Sequence, residues 1–240
     1  QSRGIRYLET SSRAVGVKGE RHLTLLESVM RQEHLGRYSF LACNPRHTLR
    51  VEQGVAVLDG ERQMEPPLQL ISNLLAKHAQ AHIAGLPPFQ GGLAGYIGYE
   101  FGRSLEPQAR IPGFAPICPD AVLHLYDTVA GFDHMQERAW IVSTDAAEAD
   151  RLEALLQRKP RDLGTHLIPG WQSNFTREAY EAAIARTVEY ILAGDIFQAN
   201  ITQMFSAPIP PGFDALAFYR VLRLRNPATF AAFLDYGDIQ

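Results

Sequence analysis

An α+β fold, with antiparallel β-sheets and helices on the outside, is what this 240-residue sequence predicts, and three observations carry it. Short β-rich segments are separated by Gly, Asp and Asn turn signals rather than by helix-length crossovers, so hairpins accumulate and βαβ units do not. The apolar spacing from Leu68 to Ala79 reads as a surface helix with one buried stripe. A composition of 46% hydrophobic and 20% charged residues suffices for one large core or two modest ones and fits no disordered, collagenous or disulfide-rich class.

The elements follow in chain order. Leu49 and Val51, then Val55 and Val57, flank the turn signal Gln53-Gly54, with Asp59-Gly60 offering a second turn, so residues 48–58 predict a hairpin. Leu68, Ile71, Leu74, Leu75 and Ala79 recur at helical spacing before Gly85 and Pro87-Pro88, which predicts a surface helix with one buried stripe. Between Gly91 and Gly102 the bulky residues Leu93, Ile97, Tyr99 and Phe101 share one parity and Gly92, Ala94 and Gly98 the other, predicting a strand with one nearly bare face. Ala121–Ala130 and Ala139–Ser143 read as two strands joined by the polar turn 133–138.

Residues 158–174, with Pro160, Gly164, Pro169 and Gly170, form the linker candidate between a region 1–157 and a region 175–240. Thr176 is placed as an N-cap, with Phe175 and Tyr180 at hydrophobic-staple positions, and Gly194 closes a helix whose Ile184, Val188, Ile191 and Leu192 share a face. A helix over 214–225 and a strand over 228–236 come last. That strand lacks a hairpin partner within the sequence, so the chain is read as a fragment.

The bulk properties exclude several classes. A net charge of -3 without Lys or Arg runs offers no field for nucleic acid. No apolar stretch reaches the length of a membrane span and no signal pattern opens the chain, and the two cysteines, Cys43 and Cys118, lack metal or redox spacing, so a reducing, cytoplasmic setting is expected. His78 and His82 stand one helical turn apart without a third ligand, and no metal site is expected from them. Gly92, Gly95 and Gly98 sit in a strand pattern with no following helix N-terminus or Lys-Ser/Thr pair, which points to close sheet packing and not to a phosphate loop. Glu27 and Glu100 have no second carboxylate at acid/base spacing, and no catalytic residue is assigned.

One segment is chemically unusual. Gly194-Asp-Ile-Phe-Gln-Ala-Asn-Ile-Thr-Gln-Met-Phe205 is predicted to run from a helix end into a strand with Gln198, Asn200 and Thr202 on one face. Unpaired buried amides cost about 1–3 kcal/mol each, so such a row is exposed, internally bonded or lining a polar site.

This segment resembles a signature of chorismate-utilising component I enzymes, the aminodeoxychorismate synthase and anthranilate synthase component I family. Asn226-Pro-Ala-Thr-Phe-Ala-Ala-Phe-Leu-Asp235 resembles the family's next signature, and Gly91-Gly-Leu-Ala-Gly-Tyr-Ile-Gly-Tyr-Glu100, Leu25-Leu-Glu-Ser28 and Tyr38-Ser-Phe-Leu41 extend the likeness over almost the whole chain. The resemblance implies an anthranilate synthase component I-like fold with its C-terminal half absent. Residues 1–157 would then be the N-terminal component I region and 175–240 the start of the chorismate-binding region.

Phe230, Ala231 and Ala232 after Asn-Pro are similar to the aminodeoxychorismate branch, which implies amination of chorismate to 4-amino-4-deoxychorismate for para-aminobenzoate and folate biosynthesis. The alternatives are anthranilate synthase component I, in tryptophan biosynthesis, and a non-catalytic aromatic amino-acid-binding module. The resemblance further implies Mg²⁺ held by glutamates of the absent half, ammonia from a glutamine amidotransferase subunit, and a tryptophan pocket carried onto Ser28, Arg37, Tyr38, Thr229, Phe230 and Ala231. A hydroxyl and backbone groups would hold the amino-acid ends there and aromatic walls the indole. Two positions depart from the family pattern: Thr229 replaces its usual Pro, and Met204 replaces an Arg that commonly follows the Gln. The family's Pro-Ile-Lys-Gly-Thr segment does not occur, the lysines being Lys18, Lys77 and Lys159, so these residues alone are expected to make no product.

Overall fold

The computed structural model describes residues 2–5, 7, 10–30, 32, 34–106, 108, 116–158 and 168–240. The chain divides into two compact units, Gln1–Asp162 together with Phe218–Gln240, and Leu163–Ala217. The expected linker falls mainly on 159–167, outside the described residues.

The first unit contains β1 (Ser2–Ile5), α1 (Thr10–Ala14), β2 (Leu23–Glu27), β3 (Tyr38–Ala42), β4 (His47–Glu52), β5 (Val55–Leu58), β6 (Glu61–Arg62), α2 (Pro67–Lys77), β7 (Gly92–Ile97), α3 (Gly102–Leu105), β8 (Ala121–Tyr126), β9 (Thr128–Asp133), β10 (Arg138–Ser143) and α4 (Ala146–Leu156). The second contains β11 (Gln172–Ser173), α5 (Arg177–Ala193) and β12 (Phe205–Ser206). Helix α6 (Ala215–Arg225) leads back into the first unit and to β13 (Ala231–Asp235). All described strand pairs are antiparallel, in a six-stranded sheet ordered β1-β10-β9-β3-β2-β13, a five-stranded sheet ordered β6-β5-β4-β8-β7, and the pair β11-β12. The α+β expectation holds.

Turn chemistry explains the hairpins. Gln53-Gly54 has φ of 50 and 78° and Asp59-Gly60 53 and 87°, the paired left-handed conformations of the tight turns that match strand twist. The predicted single strand 121–130 is two strands, broken at Asp127: β8 belongs to the five-stranded sheet and β9 to the six-stranded one. The Asp127 carboxylate is held by Arg46 at 2.8 Å, which anchors the crossing point.

β8 is buried along its whole length because both faces are covered. Ala121 and Leu123 join Leu49, Val51, Leu70, Leu74 and Phe101 under α2, while Tyr126 joins Ala42, Ala94 and Val129 between the sheets. The α2 stripe is rotated from expectation: Leu70 and Leu74 are buried, whereas Leu68 and Leu75 are about half exposed. In β7, a Cβ on Gly95 would stand 2.0 Å from the Val122 carbonyl oxygen, so the glycine lets two backbones approach. The predicted strand 91–102 stops at Ile97; Gly98 donates its amide to the Asp120 carbonyl at 2.7 Å, and a helical turn over Tyr99–Phe101 buries Phe101 while exposing Tyr99.

The two sheets are bonded through hydroxyl groups. Tyr126 Oη donates to the His22 carbonyl at 2.6 Å, which leaves Thr24 Oγ1 to donate to Tyr126 Oη at 2.9 Å and to accept from Tyr236 Oη at 2.8 Å. One carbonyl thus fixes the direction of the whole chain of bonds. Beside it His124 is 2% exposed, stacks on His22 at 4.2 Å, and has no hydrogen-bond partner for either ring nitrogen among the described residues. Burial, reinforced by the neighbouring His22 and Arg21, holds its pKa down to about 3.

The second unit is built by its helix ends. Thr176 Oγ1 accepts from the Ala179 amide at 3.2 Å, Phe175 packs edge-on to Tyr180 at 5.8 Å, and Gly194, at φ 82°, closes a Schellman motif through Gly194 N to Ile191 O and Asp195 N to Tyr190 O. The expected strand through Gln198, Asn200 and Thr202 is not formed: among the described residues only Phe205–Ser206 of this segment finds a partner, Gln172–Ser173, and a strand needs a neighbour for its backbone groups. Around it, Ser173 Oγ donates to Gln203 Oε1 at 2.8 Å and Tyr180 Oη to the Ile201 carbonyl at 3.1 Å.

Candidate functional site

β2, β3 and β13 are neighbours, and their register places Ala232, Leu26 and Phe40 in a row across the three strands. Because successive side chains alternate between faces, the same face continues with Phe230, Ser28 and Tyr38 two residues along. These six residues line one cavity of about 640 Å³, closed by Arg37, Leu35, Gly36, His34, Pro88 and the residues Glu27 and Ala231. Its size is that of a small-molecule site.

The walls are aromatic. Phe40 meets Phe89 edge-on at 5.7 Å, Tyr38 lies 6.3 Å from Phe40, and the Arg37 guanidinium covers the Tyr38 ring at 4.8 Å. Phe230, 77% exposed, stands at the mouth. The polar groups are fixed by neighbours. Ser28 Oγ donates to the Tyr38 carbonyl at 2.7 Å, which leaves its lone pairs as acceptors. Since that proton goes to a carbonyl and not to a base, Ser28 is no activated nucleophile. Arg37 Nε and Nη2 donate to Asp133 Oδ2 at 3.0 and 2.6 Å, and Asp133 Oδ1 accepts the amides of Met135 and Gln136. Burial works to raise the Asp133 pKa, but Arg37 and the two amides outweigh it and hold the carboxyl below its ordinary value.

Glu27 lies between Leu26 and Ser28 but turns to the opposite face. Its Oε2 accepts Arg223 Nε at 2.8 Å and Tyr219 Oη at 3.0 Å, all three groups being buried. From α6 the chain passes through Asn226-Pro227 to Ala228, whose carbonyl accepts the amides of Val29 and Met30 at 3.0 and 2.9 Å. Residues 226–230 therefore form a strap over the end of β2.

Of the six residues assigned from sequence, Ser28, Arg37, Tyr38, Phe230 and Ala231 line this cavity, and Thr229 does not. Leu26, Phe40 and Ala232 also line it and are not among those six; strand alternation from Ser28, Tyr38 and Phe230 is the signal that finds them. The Glu27–Tyr219–Arg223 cluster carries no such signal, because α6 and β2 are joined only by the fold.

A second cavity, of about 440 Å³, lies against the loop after α2 and contains His78 and His82. His82 Nε2 meets the Gln90 side-chain amide at 3.1 Å, and His78 packs edge-on to His47 at 5.1 Å. Among the described residues no three His, Cys, Asp or Glu side chains stand together as candidate metal ligands. No helix among the described residues is long and apolar enough to cross a membrane.

Residues 25–240 match the family model described as chorismate binding enzyme. The chain is 34% identical over 229 residues to anthranilate synthase component 1 of Thermus thermophilus, covering 90% of this chain and 48% of that protein. It is 35% identical over 240 residues to that of Pseudomonas putida, covering 89% and 48%. The crystal structure of anthranilate synthase component I from Streptococcus pneumoniae superposes with a TM-score of 0.67 at 25% identity, over 83% of this chain and 49% of that one. The chain thus spans about half the length of the curated relatives it matches.

Proposed function

Because the chain belongs to the chorismate-binding enzyme family, we propose that it is the part of an anthranilate synthase component I-type enzyme that carries an aromatic amino-acid site. The observation that carries this reading is the cavity in which Ser28, Arg37, Tyr38, Phe230 and Ala231 converge. Its aromatic walls suit a planar ring, the Ser28 lone pairs suit an ammonium group, and the Arg37 donors that Asp133 does not use suit a carboxylate. L-Tryptophan has all three. The relatives' names favour anthranilate as the product over the 4-amino-4-deoxychorismate that Phe230-Ala231-Ala232 suggests. Chorismate as substrate and a glutamine amidotransferase as ammonia donor belong to the same proposal. Ser28 gives its proton to a carbonyl and not to a base, which suits the cavity to binding rather than to nucleophilic chemistry.

Calorimetry with L-tryptophan tests the site: heat and a raised melting temperature are expected, and Ser28→Phe, which fills the cavity, should abolish both. No heat with the wild-type protein would sink the reading. Product analysis of the full-length gene product with chorismate, Mg²⁺ and ammonium separates anthranilate from aminodeoxychorismate. The second product would favour the Phe230-Ala231-Ala232 reading.

A further inference from the structure

We infer that Glu27, Tyr219 and Arg223 form a latch behind the cavity that couples its occupancy to the seating of α6 and the 226–230 strap. The inference rests on the proposed amino-acid site and adds a regulation to it. Leu26 and Ser28 face the cavity, whereas the Glu27 carboxylate on the other face is 3% exposed and joins Arg223, which is 7% exposed, at 2.8 Å. Tyr219 adds a hydrogen bond at 3.0 Å to the same oxygen, and its ring packs on Phe233 of β13 at 5.5 Å. One helix thus grips both strands of the cavity wall, β2 through Glu27 and β13 through Phe233, and the residues after it form the strap.

The strap and its strand supply Phe230, Ala231 and Ala232 to the cavity. A ligand that contacts those residues binds only when the strap is seated, so it favours the latched state. By linkage the latch favours ligand binding to the same degree. Tyr219 and Arg223 are outside the cavity lining and act through Glu27 as positioning residues.

Removing Arg223 takes the cationic partner from a buried carboxylate and can unfold the protein, so Tyr219→Phe, which deletes one hydroxyl and keeps the ring, is the informative variant. Hydrogen exchange without ligand should show the Val29 and Met30 amides, bonded to Ala228, opening about fivefold or more faster in the variant, with β8 amides unchanged. With L-tryptophan, the wild-type protein should slow exchange at Val29 and Met30, and the variant should bind about fivefold or more weakly. A purely structural Tyr219 would lower the melting temperature and leave the tryptophan Kd unchanged. Unaltered or uniformly altered exchange, or an unaltered Kd, overturns the latch. Failure of the wild-type protein to bind tryptophan overturns the cavity reading instead, and the ligand-free exchange still decides whether the latch exists.

Discussion

Helices α2 and α5 carry the same kind of apolar stripe, but α2 buries Leu70 and Leu74 against β4, β5 and β8 whereas α5 has no buried residue. Ile184, Val188, Ile191 and Leu192 of α5 are between 39 and 82% exposed. A periodic stripe therefore specifies a face, and burial of that face depends on what the rest of the fold offers it. The first unit is held by core packing and by the bonds between its sheets; within the second, α5 is held by its ends.

Glycine substitutions break that comparison most sharply. Gly95→Ala places a Cβ 2.0 Å from the Val122 carbonyl oxygen at a φ of 154°, so two paired strands must separate. A loss of about 3 kcal/mol or more is expected in urea unfolding. Gly194→Ala, at φ 82° with no atom of the described residues within 4 Å of the new Cβ, should cost about 1 kcal/mol. Equal losses at the two positions would refute the distinction.

The bonds between the sheets come next. Thr24→Val removes the hydroxyl that links Tyr236 to Tyr126 while keeping the shape, and should cost about 1–3 kcal/mol by leaving buried hydroxyls short of partners. His124 gives the same region a pH dependence. Its folded pKa of about 3 lies below the value of 6.5 for an unperturbed histidine. The unfolded chain takes up a proton as pH falls below that value and the folded chain does not, so stability drops between about 6.5 and 3. Urea midpoints at pH 7.5 and 4.5 should therefore converge in His124→Leu relative to the wild type. An undiminished gap would show that this histidine is not the cause.

How much of this was legible in the sequence follows from the range of the interactions. Turns and caps depend on neighbours in the chain, and Gln53-Gly54, Thr176 with the Phe175–Tyr180 staple, and Gly194 all stand where their residue types put them. Sheet membership does not have that local origin: nothing around Asp127 says that the strand changes sheets there, and nothing in Gln198–Thr202 says that it lacks a neighbour. The cavity was legible in part, because Ser28, Tyr38 and Phe230 lie in recognisable segments. The Glu27–Arg223 contact spans 196 positions and was not.

The smallest expected effects test the second unit directly. Thr176→Ala removes the hydroxyl that accepts from the Ala179 amide and should cost about 1 kcal/mol, visible as faster exchange in the first turn of α5. Leu192→Gln, at a position 82% exposed, deletes apolar surface that the fold does not bury, so its effect should stay within about 0.5 kcal/mol. Leu74→Gln in α2 provides the matched control, since it places an amide among Leu49, Val51 and Phe101 and should cost several times more. If Leu192→Gln proved as damaging as Leu74→Gln, α5 would have a buried partner in solution, and the contrast between a helix held by its face and one held by its ends would fail.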